Sequence, residues 1–162
     1  MKTQAKKYAL FLAKFFLVFL VLQALLLAAN LNFMERAIAS VEAQALGVQS
    51  NGNIVFIGNN SYSIDANCTG LLSGAIIAAI VFSFRKPEIK QKIAIALSAG
   101  MLLFLLNIPR VFVVLWTAKY FGAQAAETVH VTTWFSTAAF ILLFWYFLTK
   151  KITKTRDFSK LL

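Results

Sequence analysis

Three side chains in this sequence combine reactive chemistry with an unusual setting. Cys68 is the single cysteine and His130 the single histidine among 162 residues, and Arg110 is a basic residue inside a long apolar run. A cysteine thiolate is a strong nucleophile, an imidazole moves protons near neutral pH, and a guanidinium stabilises an oxyanion. With one cysteine and one histidine, neither an intramolecular disulfide nor a Cys-rich metal site can form, and we expect no metal and no other cofactor.

The elements that must position these residues are membrane helices. The chain is 60% hydrophobic and 14% charged, with a mean hydropathy of +0.74, which excludes a soluble globular protein. Four apolar segments are long enough for a hydrocarbon core of about 30 Å. We predict an all-α polytopic membrane protein with one membrane domain over residues 1–162. Its transmembrane helices are predicted over residues 8–30, 68–84, 93–118 and 129–149.

The basic residues predict the orientation of these helices. Most of the 16 Lys and Arg lie in the N-terminal tail, in the short loop 85–92 and in the tail 150–160. By the positive-inside rule these three segments are cytoplasmic, as are both termini. The formal net charge of +10 is thereby explained by topology, and no nucleic-acid partner is expected.

The outer loop, residues 31–67, is predicted to carry an amphipathic helix and a β-hairpin. Phe33–Leu46 repeats apolar residues every three or four positions, as a helix on the membrane surface does. The predicted apolar face is Phe33, Ala37, Ile38, Val41 and Ala45, with Glu35, Arg36, Glu42 and Gln44 elsewhere. Residues 53–64 contain two β-forming runs around Gly58, Asn59 and Asn60, which favours a hairpin that leads to Cys68.

Counting along the helices places the three reactive residues at one depth. At about 1.5 Å per residue from the nearest cytoplasmic charge, Cys68 lies at about 26 Å, Arg110 at about 27 Å and His130 at about 30 Å. All three are therefore predicted at the extracytoplasmic face, at the ends of three helices. A helix start and a nearby cation are expected to favour the Cys68 thiolate. Asn107, one turn before Arg110, is a candidate supporting donor.

Each residue alone also has a purely structural interpretation. A lone membrane cysteine commonly packs as a small hydrophobe, and an arginine near a helix end extends its charge to the headgroups. A single histidine at the interface is unremarkable. The shared depth and side of the three residues favour a joint site.

Short motifs around these residues resemble the exosortase and archaeosortase family of membrane cysteine transpeptidases. They are Asn67-Cys-Thr-Gly-Leu71, Asn107-Ile-Pro-Arg110, and His130 at the opening of the last helix. The resemblance implies a multi-pass cell-membrane enzyme with Cys68, Arg110 and His130 as catalytic residues. It also implies that Cys68 cleaves the C-terminal sorting signal of secreted proteins at the outer face. That signal is a short motif, a transmembrane helix and a basic tail, and the acyl-enzyme would pass to an amine acceptor, lipid-linked in the archaeal branch.

Two positions depart from patterns within that family. Thr69 stands where many members have Ser, and His130 stands where some archaeal members have Arg. A histidine favours general acid or base catalysis at that position. Glu127 and Thr133 are close enough in sequence to orient it.

Two other functions remain open from the sequence. In a small non-enzymatic carrier subunit, Arg110, Asn107 and His130 would bind a substrate and Cys68 would be incidental. In a membrane acyltransferase, Cys68 would carry a lipid acyl group. Replacing Cys68 separates the first from an enzyme, and the identity of a covalent adduct separates the second from a peptidase.

Overall fold

The computed structural model describes residues 2–153, and these are mostly helical. The helices are α1 (Lys2–Ala28), α2 (Asn32–Leu46), α3 (Leu71–Ser83), α4 (Ile89–Phe121) and α5 (Ala123–Thr153). Three short strands, β1 (Gln49–Asn51), β2 (Ile54–Ile57) and β3 (Asn60–Ser63), precede a 3₁₀ turn, Ala66–Thr69. The basic tail residues Lys154, Arg156 and Lys160 lie outside the described residues.

Three helices are long and apolar enough to cross a membrane: α1 over Ala5–Ala28, α4 over Ile89–Phe121, and α5 over Ala123–Lys151. The α3 helix has 13 residues. At about 1.5 Å per residue it extends about 20 Å, less than the hydrocarbon thickness of about 30 Å. The second predicted span, residues 68–84, is therefore shorter than expected, whereas the multi-pass helical character is confirmed.

The α3 helix packs against α1 on one side and α4 on the other, and α4 packs against α5. The α3 and α4 backbones approach closely at small residues, since a Cβ on Gly74 would lie 3.6 Å from the Cα of Gly100. The C-terminal end of α3 is held by Lys92, whose Nζ donates to the carbonyl oxygen of Phe84 at 2.5 Å. These contacts fix α3 against the long α4 helix.

The outer loop folds into α2 and a three-stranded antiparallel sheet in the order β1-β2-β3. The expected hairpin is present: β2 pairs with β3, with Ile57 opposite Asn60 and the turn at Gly58, whose φ is +58°. The additional strand β1 pairs with β2 and was not predicted. It is short, polar and exposed, so it has no alternating apolar pattern.

The buried face of α2 differs from the predicted one. The face packed in the outer core consists of Ile38, Ala39, Glu42, Ala43 and Leu46. Of the five predicted apolar positions only Ile38 is buried, whereas Phe33 is 82% exposed and Val41 57% exposed. The predicted apolar face was assigned to the membrane surface and stays a prediction. A second stripe of α2, which includes alanines and a carboxylate, packs in the outer core. This outer core also contains Val55, Ile57, Ile64, Val111 and Leu115.

Candidate active site

Cys68 lies in the 3₁₀ turn between the sheet and α3. Its backbone N–H donates to the Asp65 carbonyl oxygen at 2.9 Å, and the same backbone nitrogen lies 3.3 Å from Asp65 Oδ1. The fully buried Thr69 closes the turn, because its hydroxyl donates to the Ala66 carbonyl oxygen at 2.7 Å and accepts from the Leu71 N–H at 3.3 Å. The expectation that Cys68 begins the helix was wrong: α3 begins at Leu71, after this turn.

Gly70 lets the turn approach α4 closely. Its φ of +76° is in the left-handed region, where a side chain is strained. A Cβ at this position would also lie 3.2 Å from Asn107 Cβ and 3.2 Å from the Leu103 carbonyl oxygen. Glycine is therefore required at this position for both its backbone conformation and the space it leaves.

Asn107 links the turn to Arg110. Its side chain is 4% exposed, and its Nδ2 donates to the backbone carbonyl oxygen of Cys68. Its Oδ1 accepts a hydrogen bond from Arg110 Nη1 at 3.1 Å. Asn107 was expected to be a supporting donor, and the structure gives it contacts with both predicted site elements. One amide thus positions the cysteine backbone and the arginine side chain together.

Cys68, Arg110 and His130 line one cavity of about 70 Å³. The sheet and α4 supply most of its other walls, namely Tyr62, Ser63, Ile64, Val111, Val114 and Leu115. Cys68 and Arg110 are half-buried, whereas His130 is exposed at the rim. The structure therefore brings the three predicted residues together around one cavity.

The two residues expected to orient His130 do not contact its ring in the way proposed. The Thr133 hydroxyl donates to the His130 backbone carbonyl oxygen at 3.0 Å. Glu127 is exposed on the same helix and is not among the residues that line the cavity. His130 itself lines the cavity from α5.

Burial raises the pKa of the Cys68 thiol above its usual value. Asp65 acts in both directions, because its backbone hydrogen bond lowers the pKa of the thiol and its carboxylate raises it. The Arg110 guanidinium lowers it. The expected thiolate-favouring environment is therefore opposed by burial, and the resting thiol keeps its proton near neutral pH.

Tyr62 is the site residue that sequence reasoning missed. It lies opposite Val55 in the sheet, and its hydroxyl is buried with no hydrogen-bond partner among residues 2–153. Alternation along β3 was the available signal, because Tyr62 and the buried Ile64 are two residues apart and share a face.

Within the described residues, no group of three His, Cys, Asp or Glu side chains could hold a metal ion.

The fold and the cavity define a multi-pass membrane protein with a cysteine, an arginine and a histidine assembled from separate elements. A family model described as transmembrane exosortase matches residues 3–146, nearly the whole chain. The chain belongs to the transmembrane exosortase family, and the resemblance deduced from its motifs is confirmed. No curated protein and no solved structure matches it.

Proposed function

We propose that this exosortase is a membrane cysteine transpeptidase in which Cys68 is the nucleophile, His130 the general base and acid, and Arg110 the oxyanion donor. The observation that carries the proposal is the cavity that all three residues line. These residue types supply the three functions that acyl transfer through a thioester requires. Asn107 and Thr69 hold the nucleophile's turn and are positioning residues.

The proposed first step begins with a protonated thiol, because burial raises its pKa. His130 takes the thiol proton as Cys68 Sγ bonds to the carbonyl carbon of the scissile peptide. The negative charge that develops on the carbonyl oxygen is stabilised by the Arg110 guanidinium. When the tetrahedral intermediate collapses, the C–N bond breaks, His130 gives its proton to the leaving amine, and a thioester remains on Cys68.

The second step transfers the acyl group from sulfur to an amine. The acceptor amine loses a proton to His130 and attacks the thioester carbonyl, and Cys68 leaves as the thiolate and recovers the proton. The family membership supports secreted proteins with a C-terminal sorting signal as the substrates. A lipid-linked acceptor is the natural partner, because the cavity adjoins the membrane-spanning helices α4 and α5.

The cavity is proposed to face the extracytoplasmic side of the cell membrane. The inner loop 85–92 is basic, whereas the cavity lies at the opposite end of α4 and is built partly from the outer sheet. A secreted protein that carries an apolar C-terminal helix and a basic tail would reach this site after translocation. The basic tail would stay at the cytoplasmic surface.

Co-expression with such a secreted protein tests the proposal. Cys68→Ala and Arg110→Gln should abolish the mass shift that accompanies loss of the C-terminal helix. Arg36→Gln, which removes an exposed outer arginine on α2, is the matched control and should leave processing intact. Unchanged processing by Cys68→Ala would overturn the proposal and favour the carrier function.

A further inference from the structure

A second cavity of about 160 Å³ lies between α3, α4 and α5, on the membrane side of the site. Its walls are mostly apolar, and Arg110 and Asn107 lie among them. Arg110 is the residue that this cavity shares with the Cys68 cavity. Ser73 and Ile76 of α3 and Trp134, Ala138, Ile141 and Leu142 of α5 also line it.

The size of this cavity suits a slender group. Along α5 its lining extends from Trp134 to Leu142, about 12 Å at 1.5 Å per residue. A volume of 160 Å³ is far too small for a helix about 10–12 Å across over that length, which favours a flexible segment such as part of a hydrocarbon chain.

The cavity is also open to the bilayer. Trp134 and Leu142, at its two ends, are 54% and 51% exposed on the surface of a membrane-spanning helix, whereas Ile141 between them is 7% exposed. A lipid chain can therefore enter sideways from the membrane. An empty apolar cavity forfeits dispersion contacts with its lining, which a chain restores.

A cationic group lies at the polar end of the cavity. The Arg110 guanidinium donates from Nη1 to Asn107, and its buried Nε has no hydrogen-bond partner in the described part of the chain. A guanidinium has five donors in a planar fork that suits a phosphate. In a membrane, phosphate groups are attached to hydrocarbon chains in phospholipids.

We propose that the cavity between α3, α4 and α5 binds one acyl chain of a membrane phospholipid, with the lipid phosphate held by Arg110. This site is independent of whether Cys68 is a nucleophile. Because a chain gains little by leaving one apolar environment for another, the favourable free energy of binding comes from cavity filling and the phosphate contact, which a lipid without phosphate lacks.

Photo-crosslinking tests the site. The full chain is reconstituted in phosphatidylcholine vesicles that contain a trace of phosphatidylglycerol with a diazirine on one acyl chain, and adducts are mapped by mass spectrometry. We expect adducts at Ile76 and Ile141. Ala138→Phe, which fills the cavity, should reduce them about tenfold. Ala139→Phe, on the exposed neighbouring position, is the control and should not.

Two further comparisons make the result decisive. Ser73→Leu, which narrows the cavity from α3, should give the same loss as Ala138→Phe, so that misfolding of one variant is recognised. A diacylglycerol probe without phosphate should label about tenfold less, and Arg110→Gln should remove that difference. Equal labelling of Ala138→Phe and Ala139→Phe, or equal labelling by the two probes, would overturn the proposal.

Discussion

The Asn107 side chain donates a hydrogen bond to the backbone carbonyl oxygen of Cys68, across 39 positions of sequence. The same amide accepts from Arg110 Nη1 at 3.1 Å. Because both bonds come from one buried side chain, the turn that holds Cys68 and the Arg110 guanidinium are coupled. The geometry of the site therefore depends on a residue that need not touch the substrate.

Asn107→Leu should damage the site without removing any reacting group. It leaves the Cys68 carbonyl and the Arg110 Nη1 without their partner, at a cost of about 1–3 kcal/mol. We expect kcat for processing to fall more than KM rises, and Cys68 to react faster with a small thiol reagent because its turn is loosened. Asn107→Asp keeps the acceptor for Arg110 and should be milder. Identical kinetics for Asn107→Leu and the unmodified chain would refute the positioning role.

Gly70→Ala should lower the melting temperature more than Gly58→Ala, although both substitutions place alanine in a left-handed backbone conformation. Gly58→Ala is the matched control, because Gly58 has a φ of +58° and no heavy atom within 4 Å of its added Cβ. Both variants incur roughly 1–2 kcal/mol from the left-handed conformation. The Gly70 variant also meets Asn107 and the Leu103 carbonyl oxygen at 3.2 Å. Equal melting temperatures for the two variants would contradict the close approach of the turn to α4.

The long helices followed from the sequence because apolar length and basic flanks are strong signals. The shortness of α3 could not be predicted, because residues 68–70 carry no charge and directly precede the apolar run, yet they belong to a turn whose conformation depends on contacts with α4. The stripe of α2 that packs in the outer core was not predicted either, because Glu42 interrupts its apolar pattern in the sequence. Tertiary packing selected that face, and periodicity alone could not reveal it.

The site was predicted in part. Counting residues from the basic loop placed Cys68, Arg110 and His130 at one level, and all three line one cavity. Their catalytic roles stay predictions. Tyr62 and the direction of the Cys68 pKa were missed, because both depend on how the sheet covers the turn, which a helix-by-helix argument does not include.

Removing a negative charge and removing a positive charge near Cys68 should shift the thiol pKa in opposite directions. Asp65→Asn removes the carboxylate that raises the pKa, so the pKa should fall and labelling at a fixed neutral pH should be faster. Arg110→Gln removes the cation that lowers the pKa, so it should rise and labelling should be slower. Because Cys68 is the single thiol, the pH dependence of the labelling rate reports it directly. Shifts of the same sign would contradict the electrostatics described here.

Glu42→Gln should stabilise the fold at alkaline pH. Burial raises the pKa of the Glu42 carboxyl from 4.5 to about 7. Between those values the folded chain keeps a proton that the unfolded chain releases, so stability falls as the pH rises through this window and stays lower above it. Above this pH window, the ionised Glu42 lowers the free energy of unfolding by about 1–3 kcal/mol after solvent screening is allowed for.

Thermal unfolding of the detergent-solubilised protein across that window measures the effect. The Glu42→Gln variant should have a higher melting temperature near neutral and alkaline pH and should lose the slope between pH 4.5 and about 7. Glu127→Gln, which changes an exposed carboxylate, should keep the slope. A slope that persists in Glu42→Gln would assign it to another group.

In the proposed reaction, Cys68 carries a peptide acyl group. The most direct test is intact and peptide-level mass spectrometry of the purified protein with His130 in place, incubated with a secreted protein that has a C-terminal apolar helix and basic tail and quenched in acid. No amine acceptor is added, so the thioester that His130 helps to form is not transferred and accumulates. We predict a hydroxylamine-sensitive adduct on Cys68 whose mass equals the substrate lacking its C-terminal helix. A fatty-acyl adduct on Cys68 would instead establish the acyltransferase, and an unmodified Cys68 would contradict covalent catalysis.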